Sequence, residues 1–260
     1  MNTKTMSPRN AMLSMRFGVI ILLLVIWQVL VTIHAMPSMT PAPWEVLVSI
    51  GTTLFSAHFW AALLQTVSAS LAGWAIAAVL GVLLGLIIGS LAPVERATSA
   101  LIDIGRSFPM IALLPVVILF LGANIRMEIF MVAISCLWPV LVQTIYGARR
   151  IESALNDTIR MFRIPLLLRF RKVMLPSASP FIATGLRISA SIAVLVAVST
   201  EVLSQNPGLG RQITLAQETQ NWDVAFAYLF FTGLLGWGLA AGLGKLENRL
   251  LAWNRRSNAS

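Results

Sequence analysis

The sequence predicts an all-α integral membrane protein with six transmembrane helices and both termini on the cytoplasmic side. Three observations lead there. The 260 residues are 57% hydrophobic and only 11% charged, whereas soluble domains carry about 25% charged residues. Charge-poor apolar runs recur along the chain, long enough to cross a hydrocarbon core of about 30 Å. With both termini placed inside, sixteen of the nineteen Lys and Arg fall on the cytoplasmic side, as the positive-inside rule requires.

The elements follow in chain order. Residues 1–16 form a basic cytoplasmic tail containing Lys4, Arg9 and Arg16, and residues 17–33 form the first span. Its apolar core is too long for a cleaved leader, and Ile33-His34-Ala35 is a poor small-x-small cleavage site. Met36 to Trp44 carries three prolines and predicts an extended loop. Ala61 to Leu91 is uncharged and would measure about 46 Å as a helix, so it tilts or projects beyond the bilayer. Within it Gly73, Ala77, Gly81, Gly85 and Gly89 recur every fourth residue. That row lies on one helix face and predicts close approach of a neighbouring backbone.

Ser107 to Ile125 contains Pro109, Pro115 and Gly122, which predicts a broken span. Irregular backbone at membrane depth is tolerated only where protein or a water-filled cavity covers it. Ile129–Ala148, Val173–Thr200 and Val224–Gly244 complete the six, and the central one of these is interrupted by Arg187. Arg126 and Arg211 are the two basic residues that fall outside.

The net charge of +9 is accounted for by this topology and by attraction to anionic lipid heads. No basic stretch interleaved with stacking aromatics points to nucleic acid. Cys136 is the single cysteine, and the only histidines, His34 and His58, fall in the first outer loop. No set of metal-ligand spacing, nucleophile elbow or metalloprotease motif is present, so the reading is neither enzyme nor metalloprotein.

The longest cytoplasmic connection, about Arg149 to Lys172, carries an ordered pattern. Ile151, Leu155, Ile159 and Phe162 make an apolar stripe at helical spacing, with Glu152, Asp157, Arg160 and Arg163 off it. Ile164-Pro165 breaks this helix, and a second short helix, about Leu166 to Val173, leads into the fifth span. By physics alone such an amphipathic helix either lies in the lipid interface or docks in a groove of a cytoplasmic partner.

Asp157-Thr158-Ile159, then Arg163, then Val173-x-Leu175-Pro176 resembles the loop E-A-A-x3-G-x9-I-x-L-P of ABC importer permease subunits. The spacing is complete, while Arg163 stands where that family has Gly. Arg106-x-x-Pro109, Ala112-Leu113-Leu114-Pro115, Leu121-Gly122, Gly185-Leu186-Arg187, Glu201 and Pro207-Gly208-Leu209-Gly210 resemble the nitrate/sulfonate/taurine subgroup. The resemblance covers residues 61–251, which it implies to be a type I ABC transporter transmembrane domain, followed by a cytoplasmic tail, 252–260. It implies a multi-pass permease in a bacterial inner membrane, paired with a second permease copy. Cytoplasmic ATPase subunits hydrolyse ATP, an extracytoplasmic binding protein delivers substrate, and this chain holds no cofactor. It implies a small anion as passenger.

The resemblance further implies that Glu152, Leu155, Asp157, Thr158, Ile159, Arg160, Phe162 and Arg163 form the ATPase-coupling segment. Leu155, Ile159 and Phe162 would anchor it, and Asp157 and Arg160 would set its orientation. Pathway candidates are Pro109, Trp138, Gln143, Arg187, Ser191 and Glu201. Arg187 reads as a cation that faces the cavity and attracts an anion, as one member of a buried pair or as a cap on backbone carbonyls, and Glu201 as a helix-end or gate contact. The two are about 21 Å apart along one helix and cannot pair within it. A secondary transporter is the alternative, but it would show internal repeats and more spans.

Overall fold

The computed structural model describes residues 8–150, 161 and 165–250. The described residues are helical with no strand. The helices are α1 (Pro8–Thr32), α2 (Pro43–Leu54), α3 (Ala57–Ser90), α4 (Ala92–Ser107), a 3-10 turn (Met110–Leu113), α5 (Leu114–Leu121) and α6 (Ile125–Arg149). After the connection come α7 (Leu166–Arg169), one π-turn (Phe170–Met174), α8 (Leu175–Ser204), α9 (Leu209–Glu218) and α10 (Trp222–Leu250). Five stretches are long and apolar enough to cross a membrane, and a sixth span results if the pair Ala92–Ser107 and Met110–Leu121, bent by 84°, counts as one.

The chain divides into two units, Met1–Trp60 with Gln212–Phe230, and Ala61–Arg211 with Phe231–Ser260. The first carries α1, α2 and the neighbouring turns. Its Pro-rich segment differs from the sequence expectation: the extended stretch ends at Ala42, and Pro43 and Trp44 already belong to α2. Proline suits the first helical turn because its missing N–H has no partner to lose there. The Glu45 carboxylate accepts the Ala42 backbone N–H at 2.8 Å, closing a capping-box contact. Within this unit the Ser49 hydroxyl donates to the Asp223 carboxylate, and Trp27 meets Phe226 with ring centroids 6.0 Å apart.

The second unit is built on α6 and α8, with α3 lying along α6. The four-residue row found in the sequence meets a second four-residue row. A Cβ added to Gly73 would stand 2.6 Å from Val132 Cβ, one on Gly81 2.9 Å from Val140 Cβ, one on Gly85 2.6 Å from Thr144 Cβ and one on Gly89 2.8 Å from Ala148 Cβ. Ala77 fills the remaining rung beside Val132 and Cys136, all buried. Small residues thus let two backbones touch, which is how helices associate in lipid, where no hydrophobic force separates apolar side chains from apolar tails.

Polar groups secure the remaining contacts. The Trp74 indole N–H of α3 lies 2.9 Å from Ser189 Oγ and 3.1 Å from the Leu186 carbonyl of α8. Pro180 within α8 leaves the Pro176 carbonyl without its helical donor, and the Ser179 hydroxyl supplies one at 2.8 Å. Gly122, with φ of 73°, ends α5. Asn124 then starts α6, its side-chain oxygen accepting the N–H groups of Arg126 at 2.9 Å and Met127 at 3.3 Å, an N-cap of the usual kind.

The predicted third span is broken, but Met110–Leu121, about 18 Å as a helix, is too short to cross alone; it completes a span only together with α4, a helix where the sequence predicts a connection. The break falls at Phe108-Pro109. Helix α9 was also not foreseen.

Candidate functional site

Three cavities of the second unit run along one face of α6. The first, about 340 Å³, is lined by Gly105, Arg106, Phe108, Ser135, Trp138 and Val142 among others. The next, about 290 Å³, shares Arg106 and Val142 with it and adds Glu95, Asp103, Tyr146 and Arg149. The last, about 470 Å³, shares Tyr146 and Arg149 and adds Arg150 and Phe181. Ser135, Trp138, Val142, Tyr146 and Arg149 are spaced by three or four residues, so they share a helix face. The cavities therefore form one groove, about 21 Å long from Ser135 to Arg149.

Local structure explains the groove. The chain bends by 84° at the break before Met110. Gly105 lies directly beneath Trp138, whose Cη2 would be 2.1 Å from an added Cβ. Any larger residue there would lift the indole out of the wall. The groove carries three guanidinium groups and two carboxylates. Arg106 pairs with Asp103 at 3.0 Å, one turn away, and Arg149 pairs with Glu95. Arg150 stacks over the Phe181 ring at 5.5 Å and makes no ion pair with a carboxylate among the described residues. The formal sum of three cations and two anions is one positive charge. Low-dielectric walls focus such a field along a cleft.

A second polar feature lies at the other end of α8. Glu201 is fully buried, at 0% exposure. It accepts the Thr66 hydroxyl of α3 at 2.6 Å and the Gly210 backbone N–H at the start of α9 at 2.7 Å. Thr66 in turn accepts the Leu209 N–H at 2.9 Å. The Glu128 side chain of α6, 2% exposed, lies close to Glu201, and its Oε1 has no hydrogen-bond partner among the described residues. The turn between α8 and α9 is shaped around the carboxyl group: a Cβ on Gly208 would lie 2.0 Å from Glu201 Oε1.

The pathway candidates are thus scattered. Trp138 lines the groove, and Pro109 sits between two lining residues, Phe108 and Met110. Gln143 instead packs against α8, its Cβ 3.0 Å from an added Cβ on Gly185. Ser191 is exposed beside the lining residue Ile192. Arg187 pairs with Glu247 of α10 at 3.5 Å, away from the groove. Glu201 joins the buried carboxyl cluster. Glu152, Leu155, Asp157, Thr158, Ile159, Arg160, Phe162 and Arg163 lie outside the described residues. The sequence reading missed Tyr146, Arg149 and Arg150 as groove residues, and Glu128 and Thr66 as partners of Glu201. For Arg149 the signal was available: it continues the helix face of Trp138, whereas Arg150 is the residue that caps the end of α6.

Residues 77–249 match the family described as binding-protein-dependent transport system inner membrane component. The formylaminopyrimidine transport permease protein ThiX of Halalkalibacterium halodurans is 29% identical over 239 residues, covering 91% of this chain and 94% of that protein. The nitrate import permease protein NrtB of Leptolyngbya laminosa is 30% identical over 195 residues, covering 74% of this chain and 69% of that protein. Among solved structures, an inward-facing form of the MetNI methionine ABC transporter aligns with a TM-score of 0.64 at 17% identity, covering 82% of this chain and 99% of that one. At that identity it speaks for the fold.

Proposed function

The chain belongs to the family of binding-protein-dependent transport system inner membrane components and is a permease subunit of an ABC transporter, and from that premise we propose that it imports a small anion along the groove from Trp138 to Arg150. The observation that carries this reading is the charge of the groove. Two of its three guanidinium groups are matched by Asp103 and Glu95, whereas Arg150 has no carboxylate partner among the described residues. A passing anion meets this guanidinium held against an aromatic ring, in a cleft lined by helices. One cation is enough to attract without trapping, which conduction requires.

The permease does no chemistry. In this reading the Arg149 end of the groove faces the cytoplasm of a bacterial cell, with sixteen of nineteen basic residues on that side. Residues 152–163 dock on an ATPase subunit, Leu155, Ile159 and Phe162 facing it. ATP-driven closure of the ATPases pushes this segment and re-gates the packed helices as rigid bodies about a bistable interface. A second copy of the chain completes the pathway, and a binding protein presents the passenger at the opposite end.

An aminopyrimidine passenger is the second reading, favoured by the formylaminopyrimidine permease that matches 91% of this chain. It would use the aromatic walls, Trp138, Tyr146 and Phe181, as stacking surfaces.

The deciding test reconstitutes the chain in nanodiscs with its ATPase and binding protein. ATP hydrolysis is measured with the binding protein loaded with nitrate, an alkanesulfonate or formylaminopyrimidine. Stimulation by an anion alone supports the first reading, and stimulation by the pyrimidine alone supports the second. If the purified chain recruits no ATPase, the coupling assignment of residues 152–163 fails.

A further inference from the structure

We propose that Glu201 is a positioning residue. It locks α3 and the start of α9 onto the end of α8, and so sets how strongly the permease responds to its extracytoplasmic partner. This rests on the transporter reading above, in which the loop containing α9 faces that partner.

The argument begins with cost. A carboxyl group fully buried in a membrane domain is expensive unless its neighbours satisfy it, and here a second buried carboxyl group, Glu128, stands beside it. Packing alone would be served by an apolar side chain of similar volume. What Glu201 supplies instead is connection. The Thr66 hydroxyl and the Gly210 N–H both donate to Glu201, and the Leu209 N–H donates to Thr66. One carboxyl group therefore ties α3 and the start of α9 to each other and to the end of α8.

The backbone is cut to fit this tie. Besides Gly208, whose added Cβ would overlap the carboxyl group, Gly210 leaves no room: its Cβ would lie 2.4 Å from the Val198 carbonyl oxygen and 2.8 Å from Glu201 Cβ. Two glycines in three residues thus bring the main chain onto one side chain. Helix α9 runs from Leu209 to Glu218, and the tie holds its first turn against the end of α8.

A positioning role is separable from a merely structural one by a split between basal and stimulated hydrolysis. In the complete nanodisc complex, Glu201→Ala should retain basal ATPase activity. It should raise the concentration of loaded binding protein needed for half-maximal stimulation by about tenfold, as loss of buried hydrogen bonds implies. Glu201→Gln can still accept the Gly210 N–H and donate to its neighbours, and should restore the wild-type response. Thr66→Val should fall between them. If Glu201→Ala does not assemble, Thr66→Val and Gly208→Ala, which presses on the same carboxyl group, are judged by the same split. The proposal is overturned if these variants leave half-stimulation unchanged, or lower basal and stimulated rates by the same factor. A wild-type complex that the binding protein never stimulates overturns the transporter reading itself.

Discussion

Replacing Gly85 by Ala tests the packing of α3 on α6, and a second glycine of the same chain provides the opposite sign. In a helix interior Ala is favoured over Gly by about 1 kcal/mol. At Gly233 of α10 nothing lies within 4 Å of an added Cβ, so Gly233→Ala should stabilise by that propensity alone. At Gly85 the same methyl group would stand 2.6 Å from Thr144 Cβ and 3.0 Å from the Leu141 carbonyl oxygen. Carbon atoms in contact sit about 3.5–4.0 Å apart, so the two helices must separate by about 1 Å. Overpacking of this kind costs about 1–3 kcal/mol, which more than offsets the propensity gain at most values. Gly85→Ala should therefore lower stability by up to about 2 kcal/mol while Gly233→Ala raises it. Separation that relieves one clash also relieves its neighbours, so Gly81→Ala/Gly85→Ala should cost less than the sum of the single changes. The assay is thermal unfolding of the purified chain in detergent, followed by tryptophan emission and by the monodisperse fraction after heating. If both single variants shift the midpoint upward, or the double variant is strictly additive, α3 and α6 do not share the face described.

Three further outcomes are expected. Trp138→Phe removes a buried indole N–H that has no partner among the described residues; unmet donors cost about 1–3 kcal/mol, so stability should hold or rise, and a fall in transport would assign Trp138 to the pathway. Arg150→Gln should raise the KM for anion uptake about tenfold and flatten its salt dependence, whereas unchanged KM values would remove Arg150 from the anion route. Leu155→Asp with Phe162→Asp should abolish uptake in proteoliposomes; persisting uptake would falsify the docking role given to that stripe.

The membrane architecture was legible because lipid imposes it: five apolar runs fold as helices long enough to cross a bilayer, a sixth arises as a bent pair, and the four-residue glycine row of α3 does meet a neighbouring helix. The errors have equally specific causes. Pro43 was read as a helix breaker, yet at a first turn proline begins helices, and Glu45, which closes the cap, was the available clue. Pro93 likewise opens α4, whose Glu95, Arg96, Asp103 and Arg106 made it resemble a connection. Helix α9 is short and polar beside Pro207-Gly208, and nothing local distinguishes it from a loop. Glu128 was passed over because its meaning depends on Glu201, 73 positions away in the sequence. Arg149 and Arg150 were counted only as topological charges, although the same residues end the groove.

The paired ladders of α3 and α6 also carry an ambiguity. Both step by four residues, from Gly73 against Val132 to Gly89 against Ala148, so the two helices run parallel with matching repeats. Sliding one past the other by a single rung, about 6 Å, would again set small residues against the facing row. Close packing alone thus permits several registers. The choice among them falls to groups that do not repeat: Thr66 at Glu201, Trp74 at Ser189 and Ser90 at the Met174 sulfur, 3.1 Å away. Polar bonds that add little net energy here act as an index mark, selecting one alignment from a set that van der Waals contact leaves nearly degenerate.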